Sequence, residues 1–330
     1  MAVYTQINQA ELQDFLADYD TGHLIQWQGI QEGVENSNFF IQTDKGRFIL
    51  TIYEKRVKVE ELPFFINLLD HLAREGIACP KPIAGRDGQV LRQIKGRPAA
   101  MVSFLTGKGI KENEIMPFHA RPLGAATARL QLAASSYSAA RNNDLSVQGW
   151  RGLLERIKAS DRPNDHRSIL PLLEGEWQFL SQNWPVADSS DLGRGVVHAD
   201  LFPDNVFFDG EQFSGIIDFY FACNDYYAYD LAIVINAWGF DEDSQYRITL
   251  NLERAKMIIA GYQSVRPLTA TEQLYFGLFL RGAALRFSLT RLYDWINHPA
   301  GALVKPKPPE VYFQRLEIFR NLSSLDWFPS

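Results

Sequence analysis

The chain has 330 residues, of which 46% are hydrophobic and 22% charged, and its formal net charge is −6. This composition is typical of a soluble protein with room for two cores, and the lack of a Lys/Arg-rich block argues against a nucleic-acid or acidic-membrane partner. Two cysteines without metal-ligand spacing, no signal-peptide core and no apolar run of membrane-spanning length predict a cytoplasmic protein.

The first third of the chain predicts a small lobe rich in β-structure. Asn8 and Glu11 resemble a capping box at the start of a helix that runs to about Asp20. Three strands, a helix and two more strands follow. The strands are predicted near 25–27, 38–41, 47–53, 90–91 and 98–105, and the second helix at about 59–74.

Helical periodicity dominates the rest of the chain. Helices are predicted near 117–134, 168–182, 228–238, 250–264 and 271–297. We therefore predict an N-lobe of residues 1–105 and a C-lobe of residues 106–330. An active site is expected in the cleft at this boundary.

One segment of the predicted C-lobe has the spacing of a phosphoryl-transfer centre. His198, Asp200, Asn205 and Asp218 form an H-x-D-x-x-x-x-N pattern followed by an Asp with apolar flanks. In such a centre a carboxylate accepts a hydroxyl proton, and two oxygen ligands hold magnesium near the phosphates. We expect Asp200 to be the base and Asn205 and Asp218 to be the metal ligands.

The segment between these residues predicts a β-hairpin. Strands at 206–208 and 213–217 flank Asp209-Gly210, a strong turn signal. The hairpin would begin next to Asn205 and end next to Asp218. A surface loop with chance carboxylates is the alternative, and the hairpin argues against it.

The loop between the first two predicted strands is a candidate phosphate contact. Gly33, Asn36, Ser37 and Asn38 are small or polar, so backbone N–H groups could approach phosphate oxygens there. An ordinary hairpin loop is the alternative. The strand end from Ser103 to Leu105 is suited to hold adenine through backbone hydrogen bonds. The alternative is that it is simply a strand of the core.

Several phrases of the sequence resemble a known family. They are G-V-E-N-S-N-F (33–39), L-P-F-F (62–65), H-A-D-L-F-P-D-N-V-F-F (198–208), I-D-F-Y-F-A-C-N-D (217–225), Y-D-L-A-I (229–233), G-A-A-L-R-F (282–287) and L-T-R-L-Y-D-W (289–295). Together they are similar to the bacterial homoserine kinases of the aminoglycoside phosphotransferase and choline kinase superfamily. The resemblance covers nearly the whole chain.

The resemblance implies an α+β, bilobal protein-kinase-like fold, with a small antiparallel-sheet N-lobe and a larger, mainly helical C-lobe. The N-lobe, residues 1–105, is expected to bind the nucleotide, and the C-lobe, residues 106–330, to carry the catalytic loop and the acceptor site. It also implies ATP and Mg²⁺ as cofactors and L-homoserine as the acceptor, phosphorylated in the step before threonine synthase. The expected state is a monomer or a homodimer in the cytoplasm.

The sequence departs from the superfamily pattern at two positions. Many members carry a third-strand Lys that clamps the phosphates, where this chain has Thr51. Lys55 lies on the same side of the strand as Thr51 by its parity, but it falls beyond the strand predicted at 47–53. The residue that contacts the phosphates there therefore stays unassigned. Gln131 stands where the superfamily usually has a His, whose role we interpret as structural.

A homoserine site needs a cation for the substrate carboxylate and an acid for the ammonium. On the last predicted helix, Arg281 falls on the apolar stripe, Arg286 at its margin and Arg291 nearly opposite, at the surface. Arg281 is therefore expected to hold the substrate carboxylate or to form an internal ion pair, with Arg286 as the second candidate. Asp225 is expected to bind the ammonium, whereas Asp230 is expected to anchor its helix.

Two other functions stay open at this point. A kinase of the same fold could phosphorylate choline, ethanolamine, a hydroxy amino acid or an aminoglycoside, although neither an aromatic cage nor a strongly acidic mouth is evident. A nucleotide-binding pseudokinase is the second alternative. The presence of Asp200, Asn205 and Asp218 argues against a pseudokinase.

Overall fold

The structure is a computed structural model that describes residues 5–30, 36–54, 58–162, 166–186, 191–245, 247–298, 306–322 and 327–328. The chain divides into two compact units. The first unit consists of Met1–Thr106 and Ser214–Tyr220, and the second of Gly107–Phe213 and Phe221–Ser330. Relative to the predicted lobes, the segment 214–220 belongs with the N-terminal part of the chain instead of the C-terminal part.

The first unit is built on a five-stranded antiparallel sheet with the order β1-β2-β3-β5-β4. Its strands are β1 Leu24–Ile30, β2 Ser37–Thr43, β3 Arg47–Ile52, β4 Arg92–Ile94 and β5 Arg97–Ser103. Helix α1 spans Gln9–Leu16 and α2 spans Leu62–Arg74. The predicted order of elements is observed, but β4 lies just beyond the predicted 90–91. Lys95 and Gly96 both have positive φ and form the tight turn that places β4 against β5.

Side chains alternate between the two faces of this sheet along each strand. A helix covers each face. One face packs with α1, and its buried residues include Leu12, Phe15, Phe39, Ile41, Leu50, Ile52 and Met101. The other face packs with α2 through Tyr53, Leu62, Ile66 and Ala100. The capping box of α1 is present: Asn8 Oδ1 accepts from the Glu11 N–H (3.0 Å) and Glu11 Oε2 from the Asn8 N–H (2.8 Å).

The second unit is mainly helical. Its helices are α3 Pro117–Ala134, α4 Val147–Lys158, α5 Leu170–Asn183, α6 Tyr227–Trp238, α7 Leu252–Gln263, α8 Ala270–Asn297 and α9 Glu310–Asn321. Short antiparallel pairs join β6 Arg194–Val197 to β9 Cys223–Tyr226, and β10 Phe240–Glu242 to β11 Ile248–Leu250. A hairpin of β7 Val206–Asp209 and β8 Gln212–Ile216 contains the unit boundary.

Helix α6 lies at the centre of the second unit and is buried at every position. Helices α3 and α7 pack closely against each other. Gly124 and Gly261 permit this approach, because a Cβ at either position would overlap a backbone carbonyl oxygen of the other helix. None of the helices among the described residues is long and apolar enough to cross a membrane.

The sequence did not predict α4 and α9. Both have buried residues at helical spacing, but Gly149 and Gly152 interrupt α4 and lower its helix propensity. Helix α9 starts after Pro309 without a side-chain cap. Tertiary packing of the apolar face stabilises such helices more than local propensity does.

Candidate active site

The predicted hairpin around Asp209-Gly210 is confirmed. Gly210 has φ +61°, as a tight two-residue turn requires. Asn205 directly precedes β7, and Asp218 follows the last residue of β8 by two positions. Asn205 belongs to the second unit and Asp218 to the first.

Asp200 and Asn205 contact each other within one compact loop. The Nδ2 of Asn205 donates to the backbone oxygen of Asp200 (2.9 Å) and to its Oδ2 (3.1 Å). The Phe202 N–H also donates to the Asp200 backbone oxygen (2.8 Å). Asp200 is half-buried and Asn205 is buried. The loop therefore holds a carboxylate in a defined place with part of its surface accessible.

Two of the non-glycine residues with positive φ lie next to or within the motif. They are Ala199 (φ +62°) and Asp218 (φ +64°). A left-handed backbone conformation costs free energy in a residue that has a Cβ. It is kept only where contacts with the surrounding structure hold the residue in that conformation. Such residues concentrate at functional sites, so both positions support a functional role for this segment.

Ala199 is held from both sides of its backbone. Its N–H donates to Asp230 Oδ1 (2.8 Å), and its carbonyl oxygen accepts from Arg286 Nη1 (2.6 Å). Gln131 Nε2 donates to the second oxygen of Asp230 (3.1 Å). Burial raises the pKa of Asp230, while the bond from Gln131 and the backbone N–H groups of Ala199 and His198 lower it. These contacts fix the residue that precedes Asp200.

Asp230 was expected to anchor its helix, and Gln131 stands where the superfamily usually has a His that we interpret as structural. Gln131 also donates to the Tyr227 carbonyl oxygen (3.2 Å) and accepts from the Tyr262 hydroxyl (2.5 Å). Asp230 lies in the first turn of α6, as expected. Its bond to the loop around Asp200 was missed, because nothing in the local sequence links residues 199 and 230.

Asp218 is exposed, and tyrosine hydroxyls lie near it in the first unit. Tyr220 donates to the Tyr53 hydroxyl (3.0 Å), and the two rings meet edge to face. Burial and, to a smaller extent, the charge of Asp218 raise the pKa of Tyr53 to about 12, although the hydrogen bond from Tyr220 lowers it. Thr51, at the position where many superfamily members are expected to carry Lys, donates to Asn38 Oδ1 (2.8 Å). Lys55 lies outside the described residues.

The other nucleotide-site candidates lie in the first unit. Gly33 is outside the described residues. Asn36 Oδ1 accepts from the Glu54 N–H (3.3 Å), and Ser37 Oγ donates to Glu54 Oε1 (2.8 Å). Ser103 Oγ accepts from the Lys81 N–H (2.9 Å) at the end of β5. The side chains of Asn36 and Ser37 therefore have internal partners.

Arg281 forms the internal ion pair that was one of its two expected roles. Its Nε and Nη2 donate to the two oxygens of Glu176 (2.6 and 2.8 Å). Glu176 is 1% exposed and is also paired with Arg320 (3.1 Å). The expectation that Arg281 binds the substrate carboxylate is corrected on this ground, because its Nε and Nη2 donors already bind the carboxylate of Glu176.

Arg286 and Asp225 are both buried. The Arg286 guanidinium lies 4.6 Å from the centre of the Phe287 ring and donates to Ala199. Asp225 accepts from Asn143 Nδ2 (2.6 Å) and from the Tyr226 N–H (2.7 Å). Burial raises the pKa of Asp225. Both side chains thus have internal partners, and their roles toward a substrate stay predictions.

Arg291 was expected at the surface, but it is half-buried, with its guanidinium 4.4 Å from the centre of the Tyr312 ring. Helical phase alone was misleading, because α9 covers the side of α8 that carries Arg291.

Among the described residues, no cluster of three or more His, Cys, Asp or Glu side chains could hold a metal ion. A metal site here would depend on a few protein oxygens together with phosphate oxygens.

Known proteins resemble this chain over most of its length. The model of the phosphotransferase enzyme family matches residues 26–268. A homoserine kinase of Paramagnetospirillum magneticum is 48% identical, with 98% of each chain covered. A homoserine kinase of Methylobacterium radiotolerans is 49% identical, with 97% of each chain covered.

Solved structures share the fold at low identity. An amicoumacin kinase, solved with AMP-PNP, Ca²⁺ and amicoumacin, has a TM-score of 0.67 at 15% identity, and 98% of this chain and 96% of that chain are covered. A choline kinase from Cryptosporidium parvum has a TM-score of 0.66 at 14% identity, with 89% and 88% covered. The predicted α+β, protein-kinase-like fold class is confirmed. The chain belongs to the phosphotransferase enzyme family.

Proposed function

We propose that this protein is a homoserine kinase, which transfers the γ-phosphoryl group of ATP to the side-chain hydroxyl of L-homoserine. The observation that carries the proposal is the 48% identity to a homoserine kinase over 98% of both chains. The contact between Asp200 and Asn205 supports it, since phosphoryl transfer needs those residue types together.

Asp200 is proposed to orient the homoserine hydroxyl and to accept its proton. The hydroxyl oxygen forms a bond to the γ-phosphorus, and the bond from that phosphorus to the β–γ bridging oxygen of ATP breaks. ADP and O-phospho-L-homoserine are the products. The bond from Asn205 to Asp200 Oδ2 and the constrained backbone of Ala199 keep the base in place.

Asn205 and Asp218 are proposed as the protein ligands of Mg²⁺. A carboxylate and an amide oxygen are hard donors that suit this ion, which also takes phosphate oxygens and water. Asn205 uses its Nδ2 toward Asp200, and no donor within the described ranges reaches its Oδ1. When bound, the ion neutralises phosphate charge. The AMP-PNP and Ca²⁺ in the amicoumacin kinase structure support a nucleotide with a divalent ion.

The nucleotide is proposed to bind at the first unit, at Gly33, Asn36, Ser37, Asn38, Ser103 and Leu105. The small, polar loop and the backbone of the strand end support this assignment. The proposed setting is cytoplasmic amino-acid biosynthesis that leads to threonine. Cys79 and Cys223 are both free and buried, which suits a reducing compartment.

Coupled detection of ADP release tests the function. Purified protein with Mg²⁺ and ATP is assayed with L-homoserine, choline, ethanolamine, L-serine and an aminoglycoside. We expect turnover with L-homoserine at least about a hundredfold above choline, ethanolamine and the aminoglycoside, because a site built for a polar group rejects acceptors that lack its carboxylate. L-serine keeps all three polar groups and is one methylene shorter, so turnover about 10- to 200-fold below that of homoserine is expected for it. Turnover with another acceptor and none with homoserine would refute the proposal, and nucleotide binding without any turnover would favour a pseudokinase.

A further inference from the structure

The loop that carries Asp200 packs beside an aromatic cluster of the second unit. Phe202 lies 4.9 Å from Phe287 of α8, and Phe287 lies 5.2 Å from Tyr312 of α9, measured between ring centres. Phe202 also lies 6.5 Å from Tyr312. The cluster connects the proposed base, two residues before Phe202, with the facing sides of α8 and α9.

Four cations of the described residues lie on or beside this cluster, and three of them are paired with a carboxylate or donate a short hydrogen bond. Lys307 pairs with Asp204 (3.6 Å), and Arg315 pairs with Glu112 (3.7 Å) and donates to the Asn236 carbonyl (2.6 Å). Arg286 donates to the Ala199 carbonyl (2.6 Å). Each of these three is therefore held by a protein group.

Arg291 is the fourth cation and differs from the other three. Its only hydrogen bond to the described residues is a long one, 3.5 Å, to the Pro308 carbonyl. The segment 299–305, which lies outside the described residues, contains no Asp or Glu. The Arg291 guanidinium lies 4.4 Å from the centre of the Tyr312 ring, and that ring lies 6.5 Å from the ring of Phe202, two residues after Asp200. Burial lowers the pKa of Arg291. A half-buried guanidinium to which no carboxylate of the described residues is bonded favours binding of an anion.

We propose that Arg291, held against Tyr312, binds the α-carboxylate of the acceptor amino acid and so selects substrates that carry this group. The inference rests on the proposed function. In homoserine two carbon atoms, Cα and Cβ, lie between the carboxyl carbon and the carbon that bears the hydroxyl. One end of the molecule can therefore reach Asp200 while the other contacts Arg291. The planar fork of Arg suits a carboxylate better than the point charge of Lys.

The test compares L-homoserine with its carboxamide and with homoserinol, which both lack the negative charge, in the native protein and in Arg291→Gln and Arg291→Lys. We expect Arg291→Gln to raise the KM for homoserine about 10- to 100-fold and to change the KM for the two neutral analogues and for ATP little. Arg291→Lys should retain the charge and the contact with Tyr312 and lose part of the preference.

Arg156→Gln is the matched control, because Arg156 also lies over a tyrosine ring, 5.2 Å from the centre of Tyr293, but is exposed. It should leave all KM values unchanged. If Arg291→Gln and Arg291→Lys keep the native preference for homoserine over the neutral analogues, at whatever thermal stability, Arg291 is structural and the inference is wrong. If the native protein does not phosphorylate homoserine, the proposed function itself fails, which is a separate result.

Discussion

At the scale of single residues, the backbone next to Asp200 is unusually constrained. Ala199 has left-handed φ, and both its N–H and its carbonyl oxygen bond to buried charged side chains. Pre-organisation of this kind stabilises a transition state because no reorganisation is needed during the reaction. The position of Asp200 therefore depends on Asp230 and Arg286 as well as on its own loop.

Asp200→Asn should retain the fold and the nucleotide affinity but lose turnover. The amide keeps the shape of the carboxylate and cannot accept a proton, and loss of a general base costs about 10²–10⁴ in rate. Steady-state kinetics at neutral pH, with a circular dichroism spectrum as the control for folding, would measure this. A variant with near-native kcat would show that Asp200 is not the base.

Asp218→Ala should abolish metal-dependent turnover. Without this carboxylate the phosphate charge would be poorly neutralised, since few other protein oxygens are proposed to hold the ion. The measurement is activity as a function of Mg²⁺ concentration in the native and variant proteins. Full activity of the native protein in excess chelator would contradict a metal requirement.

At the scale of secondary-structure elements, Glu176 connects three helices. It lies on α5 and pairs with Arg281 of α8 and Arg320 of α9. A buried carboxylate that loses a partner destabilises a protein strongly. The ion pair therefore fixes the packing of these helices. It also means that Arg281 already has a carboxylate partner within the protein.

Arg281→Met should lower the free energy of unfolding by about 3 kcal/mol, the lower part of the usual range, because Arg320 would remain to pair with Glu176. The preference for homoserine over homoserinol should stay intact. Denaturant unfolding and the two KM values would measure both effects. Loss of the preference without loss of stability would return the carboxylate-binding role to Arg281.

The start of α3 should make stability depend on pH. The Met116 N–H bonds to the Nδ1 of His119, and burial lowers the pKa of His119 from 6.5. The unfolded state therefore binds a proton more readily than the folded state. This contribution to stability is complete above the unfolded pKa and is lost as the pH falls below it.

His119→Gln removes the titration and can keep an acceptor for the Met116 N–H, as in a capping box. The native protein should lose up to about 1.4 kcal/mol per pH unit relative to this variant below pH ~6.5, and no difference in slope is expected above pH 7.5. Unfolding in denaturant at several pH values would measure this. Parallel curves from pH 5 to 8 would contradict the assignment.

At the scale of the whole molecule, each unit contains one buried thiol, Cys79 in the first and Cys223 in the second. Burial raises the pKa of each to about 12. Because only the thiolate reacts, each thiol should become reactive only when its own unit opens.

The native protein at pH 8 should therefore react slowly with a disulfide reagent, and two thiols should react at once in denaturant. The variants Cys79→Ala and Cys223→Ala leave one thiol each, so that each reports on a single unit. The rates should rise with denaturant concentration. Rapid stoichiometric labelling of the native protein would show that the thiols are accessible.

The sequence by itself determined the features that depend on neighbouring residues. The turn at Asp209-Gly210, the alternation of the strands, the capping box at Asn8 and the spacing from His198 to Asp218 are all local patterns. They predicted a sheet-rich first lobe and the candidate catalytic residues, whereas the fold class followed from the resemblance to a known family. The strand near 90 and the helices α4 and α9 were misplaced or missed, because their local propensities are weak and packing stabilises them.

Only the tertiary structure decided which charged side chains already have a partner within the protein. Arg281 meets Glu176 across 105 positions of sequence, and Ala199 meets Asp230 and Arg286 across 31 and 87. Arg291 was assigned to the surface from its helical phase, yet α9 brings Tyr312 against it. Periodicity tells which face of a helix is apolar, but the partner of a buried charge comes from a distant part of the chain, and that partner decides whether the charge is free to bind a substrate.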